Sequence, residues 1–262
     1  MTGDVWTDAQ AYEAYVGRWS RAVAARFVPW LGMPERRLWL DAGRGTGALT
    51  AAITDAARVV GVDRSHAFLR GPARTATDDR AGTGAGPVAG DAAALPFRDG
   101  VFDAVVSGLM LNFVPRPEQA IAEFCRVAAP GATVAAYVWD YAGGMRMMRY
   151  FWDAAAEVDP TAAQRDEGRR FPICHEHALA YAWMDAGLRG VTTWRIEIPT
   201  VFATFDDFWR PFLGGQGPGP AYLAALPERH RDAIRDLLRA RLGDATIALT
   251  AAAWAVRGIK QS

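Results

Sequence analysis

Lysine is nearly missing from this chain: the only one in 262 residues is Lys260, close to the carboxyl end. A P-loop phosphate lysine, a Schiff-base lysine and a tyrosine–lysine dehydrogenase pair all need an amine inside the fold, so all three chemistries are excluded. Cysteine is scarce as well. Cys125 and Cys174 stand far apart in apolar contexts, which suits small buried side chains of a reducing compartment better than a disulfide. An excess of either charge is also lacking, since 29 basic residues balance 29 acidic ones. That balance removes the electrostatic reason to expect nucleic acid or a membrane as partner. Long hydrophobic runs are absent: none approaches the roughly 20 residues that span a bilayer. The opening MTGDVW carries an acid where a signal peptide carries bases, so a cytoplasmic location is expected.

Glycine, by contrast, is concentrated where it counts. In RLWLDAGRGTGA (Arg37 to Ala48) an apolar run of strand type ends in Asp41, and three glycines in five residues lead into a helical pattern. Glycines are placed this densely where backbone turns tightly and lets a ligand touch it. The next strand, Val59 to Asp63, ends in a carboxylate 20 positions after Gly43. An open α/β sheet presents an acid there to a ribose hydroxyl pair. The pair of features reads as a site for an adenosine-containing cofactor.

The rest of the first half alternates strand and helix. Asp8 to Leu31 reads as two helices broken near Gly17 to Ser20; folded over the first strand's carboxyl end, they would hang Tyr12, Arg18 and Ser20 above a ligand. A helix over Ala48 to Ala57 follows the glycine turn, Ser65 is a helix N-cap, and Thr75 to Gly86 is a small, polar loop. Pro87 to Gly90 is a short third strand, with Asp91 and Ala92 next to it, where a carboxylate accepts an exocyclic amine or caps a turn. Phe102 to Ser107 is a buried fourth strand, Asn112 is the polar group of the rim that follows, and Pro117 opens a helix to Val127. Pro130-Gly131 turns the chain into a fifth strand, Thr133 to Trp139, with Asp140 and Tyr141 past its end. This alternation predicts a right-handed, doubly wound sheet.

From Gly143 the pattern changes. Met145 to Val158 is a helix apolar almost all round, Glu176 to Ala186 another, Arg195 to Val201 a strand, Leu213 to Pro220 a loop, Pro227 to Leu242 an arginine-rich helix and Thr246 to Val256 a last strand. His175, Glu176 and His177 are adjacent, cannot all point one way, and have no fourth ligand at a familiar spacing, so no metal site is expected.

LDAGRGTG, GVDRS, GDAAALPF, FDAVVS and RVAAPGATV, in this order and spacing, resemble the class I S-adenosylmethionine-dependent methyltransferases, of the sort typified by ubiquinone and menaquinone biosynthesis enzymes and small-molecule tailoring enzymes. The resemblance covers about Ala11 to Tyr141 well and the final strand loosely; YVGRWS (Tyr15 to Ser20) matches a block of one subgroup. It implies a Rossmann-like sheet of seven mainly parallel strands with an antiparallel last strand and a helical cap over the carboxyl ends. The 262 residues would then be a single domain with cap elements at about 1–35, 141–188 and 204–243. S-adenosyl-L-methionine is the implied cofactor. Asp41, Ala42, Gly43 and Gly45 would line its methionine part, Asp63 would take the ribose hydroxyls, Arg64 would flank the adenine, and Asp91 with Ala92 would bind the adenine edge. Ser107, Gly108 and Leu109 would pass beneath the sulfonium, and Arg18 and Ser20 are candidates for the cofactor carboxylate.

Arg44 departs from the family pattern, which has a small residue there. Its guanidinium could pair with the cofactor carboxylate, point outward, or intrude beside the sulfonium. The implied partner is a small, apolar or aromatic methyl acceptor, suggested by the cap aromatics Tyr12, Tyr141, Tyr150, Phe151, Trp152, Phe171, Phe208, Trp209 and Phe212. General-base candidates are His175, His177, Asp140 and Tyr141. Two other readings remain: a binder without catalysis on the same fold, and a nicotinamide dehydrogenase, since Gly43, Gly45 and Ala48 also satisfy G-x-G-x-x-A.

Overall fold

The computed structural model describes residues 13–69, 87–215 and 217–261. Tyr12, the beginning of the first expected helix and the loop expected over Thr75 to Gly86 lie outside them. The strands are β1 (Leu38–Ala42), β2 (Arg58–Asp63), β3 (Val88–Ala89), β4 (Phe102–Gly108), β5 (Ala128–Trp139), β6 (Arg189–Phe202) and β7 (Ile247–Ile259). The helices are α1 (Arg18–Leu31), α2 (Ala48–Ala52), α3 (His66–Leu69), α4 (Pro117–Val127), α5 (Arg146–Val158), α6 (Glu167–Arg170), α7 (Glu176–Asp185), α8 (Phe205–Trp209), α9 (Pro218–Ala225) and α10 (Glu228–Leu242).

The strands form one seven-stranded sheet in the order β3-β2-β1-β4-β5-β7-β6. β1 pairs in parallel with β2 and β4, β2 with β3, and β4 with β5. β7 runs antiparallel to β5: Gly131 N donates to Lys260 O and Lys260 N to Ala132 O, each at 2.9 Å. The Rossmann-like sheet expected from the sequence is therefore present. Chain order reverses between β1 and β4, and in an open α/β sheet the crevice outside the carboxyl ends at such a switch point is where ligands bind.

The described residues separate into two compact units. One comprises those of Ser20–Val138, His175–Ile196 and Trp254–Ser262. Its α1 buries Ser20, Val23, Ala24, Phe27 and Leu31, a stripe at three- and four-residue spacing that only a helix brings to one face. Phe27 packs on Tyr137 of β5 with ring centroids 4.7 Å apart. β4 buries Ala104 through Ser107 without alternation, because a parallel strand is covered on both faces. Arg257 of β7 donates to Trp30 O and Leu31 O at 2.7 and 3.0 Å, satisfying carbonyls that the end of α1 leaves open. The single lysine acts likewise: Lys260 Nζ donates to Ala128 O at 2.8 Å.

The other unit comprises the described residues of Met1–Trp19, Trp139–Cys174 and Glu197–Ala253. Its interior is aromatic. Phe151 of α5 stacks on Phe212 with centroids 4.4 Å apart and planes within 10°, and Tyr15 meets Phe212 edge-on at 5.5 Å. Phe202, Phe205 and Phe208 continue the cluster. The hydroxyl of Tyr15 donates to Met148 Sδ at 2.7 Å, and the indole N–H of Trp152 donates to the buried carboxylate of Glu167. Arg149 pairs with Asp166, the N-cap of α6.

Several boundaries differ from those read in the sequence. α2 stops at Ala52, and β6 begins at Arg189, six residues before the expected start. The turn at Pro130-Gly131 exists but lies inside β5: Phe102 faces Ala128 while Ala104 faces Thr133, so the intervening residues bulge out and the strand resumes. Part of the loop expected over Leu213 to Pro220 belongs to α9, with Pro218 in its first turn.

Candidate functional site

At the carboxyl end of β1 the chain passes through Gly43, Gly45 and Gly47 with φ of 79°, 54° and 83°, left-handed values that a side chain resists. Gly43 N and Arg44 N both donate to Val62 O, at 2.8 and 2.9 Å, which folds the turn over the end of β2. Gly45 N donates to Asp63 Oδ2 and Ser65 N to Asp63 Oδ1, each at 2.8 Å. A carboxylate has about four acceptor sites, so these two bonds leave capacity for hydroxyl donors. Glycine serves two purposes here. A Cβ on Gly43 would stand 2.4 Å from Met110 Cγ, so this chain's own methionine occupies that space; around Gly45 the nearest atom is 4.0 Å away. Of the two glycines, Gly45 is the one with open space beside its backbone.

Arg44 does not point outward. It is 5% exposed, and its stem crosses β2 where Gly61 has no side chain. Asp41 is 1% exposed and accepts a 2.6 Å bond from Thr50 Oγ1. Burial pushes its carboxyl up to about 6; the Thr50 hydrogen bond and then the Arg44 charge pull it back, while Asp63 adds to the rise. Burial wins.

Asp91 is exposed beyond β3, and its Oδ1 accepts from Ala93 N at 2.9 Å, closing a turn that includes Ala92. Arg64 is exposed beyond β2. The segment after Asp91 is held by a clamp that sequence reasoning missed. Arg126 of α4 donates to Phe97 O and Leu95 O at 2.8 and 2.9 Å and pairs with Glu123 and Asp99 at 2.6 and 2.7 Å; Glu123 Oε2 accepts from Leu95 N at 2.7 Å. Hydrogen bonding to Arg126 holds the Glu123 carboxyl below the usual range. The available signal was the three-residue spacing of Glu123 and Arg126 on one helix face.

Beyond β1's other neighbour, Ser107 is buried at the tip of β4, Gly108 is backed by the ring of Tyr137, and Leu109 has a left-handed φ of 59°. A non-glycine residue in that region is strained and often marks a working loop. Asn112 follows in a short 3-10 turn, Leu111–Phe113.

The remaining candidates are placed as follows. Ser20 is buried on α1. His175 and His177 are exposed at the amino end of α7, and between them Glu176 accepts the Thr193 hydroxyl at 2.7 Å. In the other unit, Arg18 pairs with Asp207 at 3.1 Å, a hydrogen bond that holds the Asp207 carboxyl low, and the same guanidinium lies over the rings of Trp19 and Phe202, so it is committed locally. Asp140 Oδ1 accepts from Gly143 N at 3.1 Å, and the Tyr141 ring lies 5.8 Å from Phe171. Of the aromatics expected to line an acceptor, Phe151, Trp152, Phe208, Trp209 and Phe212 are buried against one another; Tyr150 and Phe171 stay partly accessible. No described helix is long and apolar enough to cross a membrane.

Comparison with known proteins bears on this arrangement. A family profile described as a methyltransferase domain matches residues 40–136, which include every carboxylate and glycine of the crevice. A malonyl-[acyl-carrier protein] O-methyltransferase of Geobacter sulfurreducens is 35% identical over 190 residues, covering 70% of this chain and 67% of that protein. A demethylmenaquinone methyltransferase of Renibacterium salmoninarum is 37% identical over 115 residues, and this chain spans only 44% of its length. In fold, the YcgJ protein of Bacillus subtilis superposes with a TM-score of 0.60 at 14% identity, covering 92% of this chain and 99% of that one.

Proposed function

Because the chain belongs to the class I S-adenosylmethionine-dependent methyltransferases, we propose that it transfers a methyl group from S-adenosylmethionine to a small metabolite. The observation that carries this reading is the tie between Gly45 N and Asp63 Oδ2 at 2.8 Å, which sets a β2-terminal carboxylate beside open backbone at the switch point.

The residues fit the cofactor. Asp63 keeps acceptor capacity for the ribose hydroxyls, Asp91 and Ala92 lie beyond β3 for the adenine edge, and Arg64, exposed beyond β2, is the proposed flank of the adenine. Gly43, Arg44 and Gly45 frame the methionine part, with the buried guanidinium of Arg44 as partner for its carboxylate. When bound, the cofactor supplies an electrophilic methyl group on a sulfonium sulfur.

What the chain adds is placement and dryness. Fixing two reactants in register is worth effective molarities on the order of 10⁵ M or more, and Ser107, Gly108 and Leu109 provide the floor on which that register depends. For an acceptor that must lose a proton, His175, His177, Asp140 and Tyr141 are the proposed receiving groups, a role worth about 10² to 10⁴ in rate. Support for an apolar or aromatic acceptor rests on Tyr150 and Phe171, since Tyr141 and the other described rings are buried in packing.

Calorimetry with S-adenosylmethionine and S-adenosylhomocysteine tests the cofactor, and screening acceptors for a mass gain of one methyl group tests the transfer. One observation favours a second reading, a ligand binder without catalysis: Arg44 puts a positive charge in the turn that a sulfonium would approach. Folded protein that gives heat with neither nucleoside would favour it.

A further inference from the structure

Helix α10 shows how this chain balances exposed arginines. Arg235 pairs with Asp232 and Asp236, Arg239 with Asp206 and Asp244, and Arg241 with Glu157. The segment Arg165 to Arg170 (RDEGRR), in the same unit, is built the other way. Its two acids turn inward: Asp166 is 7% exposed and Glu167 1%. Asp166 is held by Arg149 of α5 at 2.9 Å and by Gly168 N at 2.8 Å, and Glu167 accepts the indole N–H of Trp152. Arg165, Arg169 and Arg170 stay exposed.

A fourth exposed cation joins them. Arg146 lies on α5 one turn before Arg149, the residue that reaches Asp166, so both stand on the side of α5 that meets α6. Arg169 N and Arg170 N donate to Asp166 O at 3.0 and 3.1 Å, which gathers the α6 arginines about the same residue. Among the described residues, Arg146, Arg165 and Arg169 have no ion-pair partner. The neighbouring acids do not compensate: Glu157 is taken by Arg241 and Asp159 by Thr161 and Tyr222. Asp153, two turns along α5 from Arg146, is the exposed carboxylate that remains.

Two of the guanidiniums rest on rings. Arg146 lies 5.6 Å over Tyr150 and Arg170 5.2 Å over Phe171, and both rings are partly accessible. A guanidinium lying on a ring keeps its in-plane N–H donors directed outward, where they fit the fork of a carboxylate. Arginine and aromatic residues are also those enriched where proteins meet. The charges are spread from the start of α5 to the end of α6 and do not converge on one point, which suits a row of carboxylates on a polypeptide better than one small anion. We propose that this arginine face docks an acidic protein surface. The balance of 29 basic and 29 acidic residues does not oppose it, because the acids nearest these arginines are buried or spent elsewhere. The docking face is independent of the cofactor reading above.

The probe is fluorescently labelled poly-L-glutamate, a chain of carboxylates with no other recognition feature, titrated with the whole chain and followed by anisotropy. Wild type should bind it, with an affinity that falls as salt is raised. Arg165→Gln/Arg169→Gln should bind about tenfold more weakly, while Arg229→Gln/Arg231→Gln, which removes the same charge from α10, should change affinity less than about twofold. Arg146→Gln, which leaves α6 and its cap untouched, should weaken binding about two- to threefold and carries the test if the α6 variant does not fold. Equal losses in the two double variants would mean a response to net charge alone, and wild type that fails to bind would mean no docking face; either result overturns the inference. So would phosphatidylglycerol vesicles or pyrophosphate bound in place of polyglutamate, which would assign the face to a membrane or to a small anion.

Discussion

The stem of Arg44 crosses Gly61 of the neighbouring strand so closely that a methyl group on Gly61 would stand 2.3 Å from Arg44 Cδ. The one departure of the glycine turn from the family pattern is thus matched by an absence of side chain on β2. Gly61→Ala should therefore cost about 1–3 kcal/mol, the usual range for overpacking. Most of that loss should vanish in an Arg44→Ala background, because the two changes share one space. Denaturant unfolding of the single and double variants measures it; purely additive losses would contradict the packing.

A pH dependence follows from Asp41. Its carboxyl titrates near 3.8 in an ordinary setting and is raised to about 6 in the fold, chiefly by burial. The folded chain then holds this proton more tightly than the unfolded chain. The associated stability is full below about pH 4 and is lost as pH rises through about 6, amounting to roughly 3 kcal/mol at about 1.4 kcal/mol per unit. In Asp41→Asn this component disappears, so between about pH 4 and 6 wild type should lose roughly 3 kcal/mol relative to the variant, and the two stability curves should run parallel above. Curves parallel throughout that window would refute the raised value.

Asp63 carries the ribose assignment. Asp63→Ala should weaken S-adenosylhomocysteine by about 10- to 100-fold, the range for losing hydrogen bonds to a charged group. An analogue without the ribose hydroxyls separates ligand contact from support of the turn, because Asp63 also accepts from Gly45 N and Ser65 N. Wild type should discriminate against this analogue, and the variant should not.

Arg126 holds the segment that follows Asp91. Arg126→Met keeps the stem but frees Leu95 O, Phe97 O and the Glu123 and Asp99 carboxylates, so stability should fall by about 1–2 kcal/mol, discounted for partial exposure. Hydrogen exchange at Leu95 and Phe97 should accelerate. Unchanged protection there would show that the clamp is dispensable.

The parts of this protein that were legible beforehand are those where local chemistry is decisive. Alternation of buried runs with helical stripes foretold the doubly wound sheet, and the left-handed glycines, the two strand-terminal carboxylates and the N-terminal proline of α4 were readable because turns, caps and strand ends are set by neighbours in sequence. The bulge inside β5 was not, since Pro130-Gly131 reads as a turn until Phe102 and Ala104 are seen pairing on either side of it. Nor was the fate of the aromatics: spacing cannot tell a ring that lines a site from one that stacks on Phe212.

By itself, then, the amino-acid order determined the sheet, the position of the crevice and the carboxylates at its rim, because each follows from interactions a few residues long. Only the folded arrangement decided that Arg44 lies buried over Gly61, that Met110 rather than a ligand fills the space at Gly43, that Arg18 is committed to Asp207, and that Asn112 is left with both ends of its amide unmet. Those outcomes depend on partners 17 to 189 positions away, a range over which sequence spacing carries no geometric information.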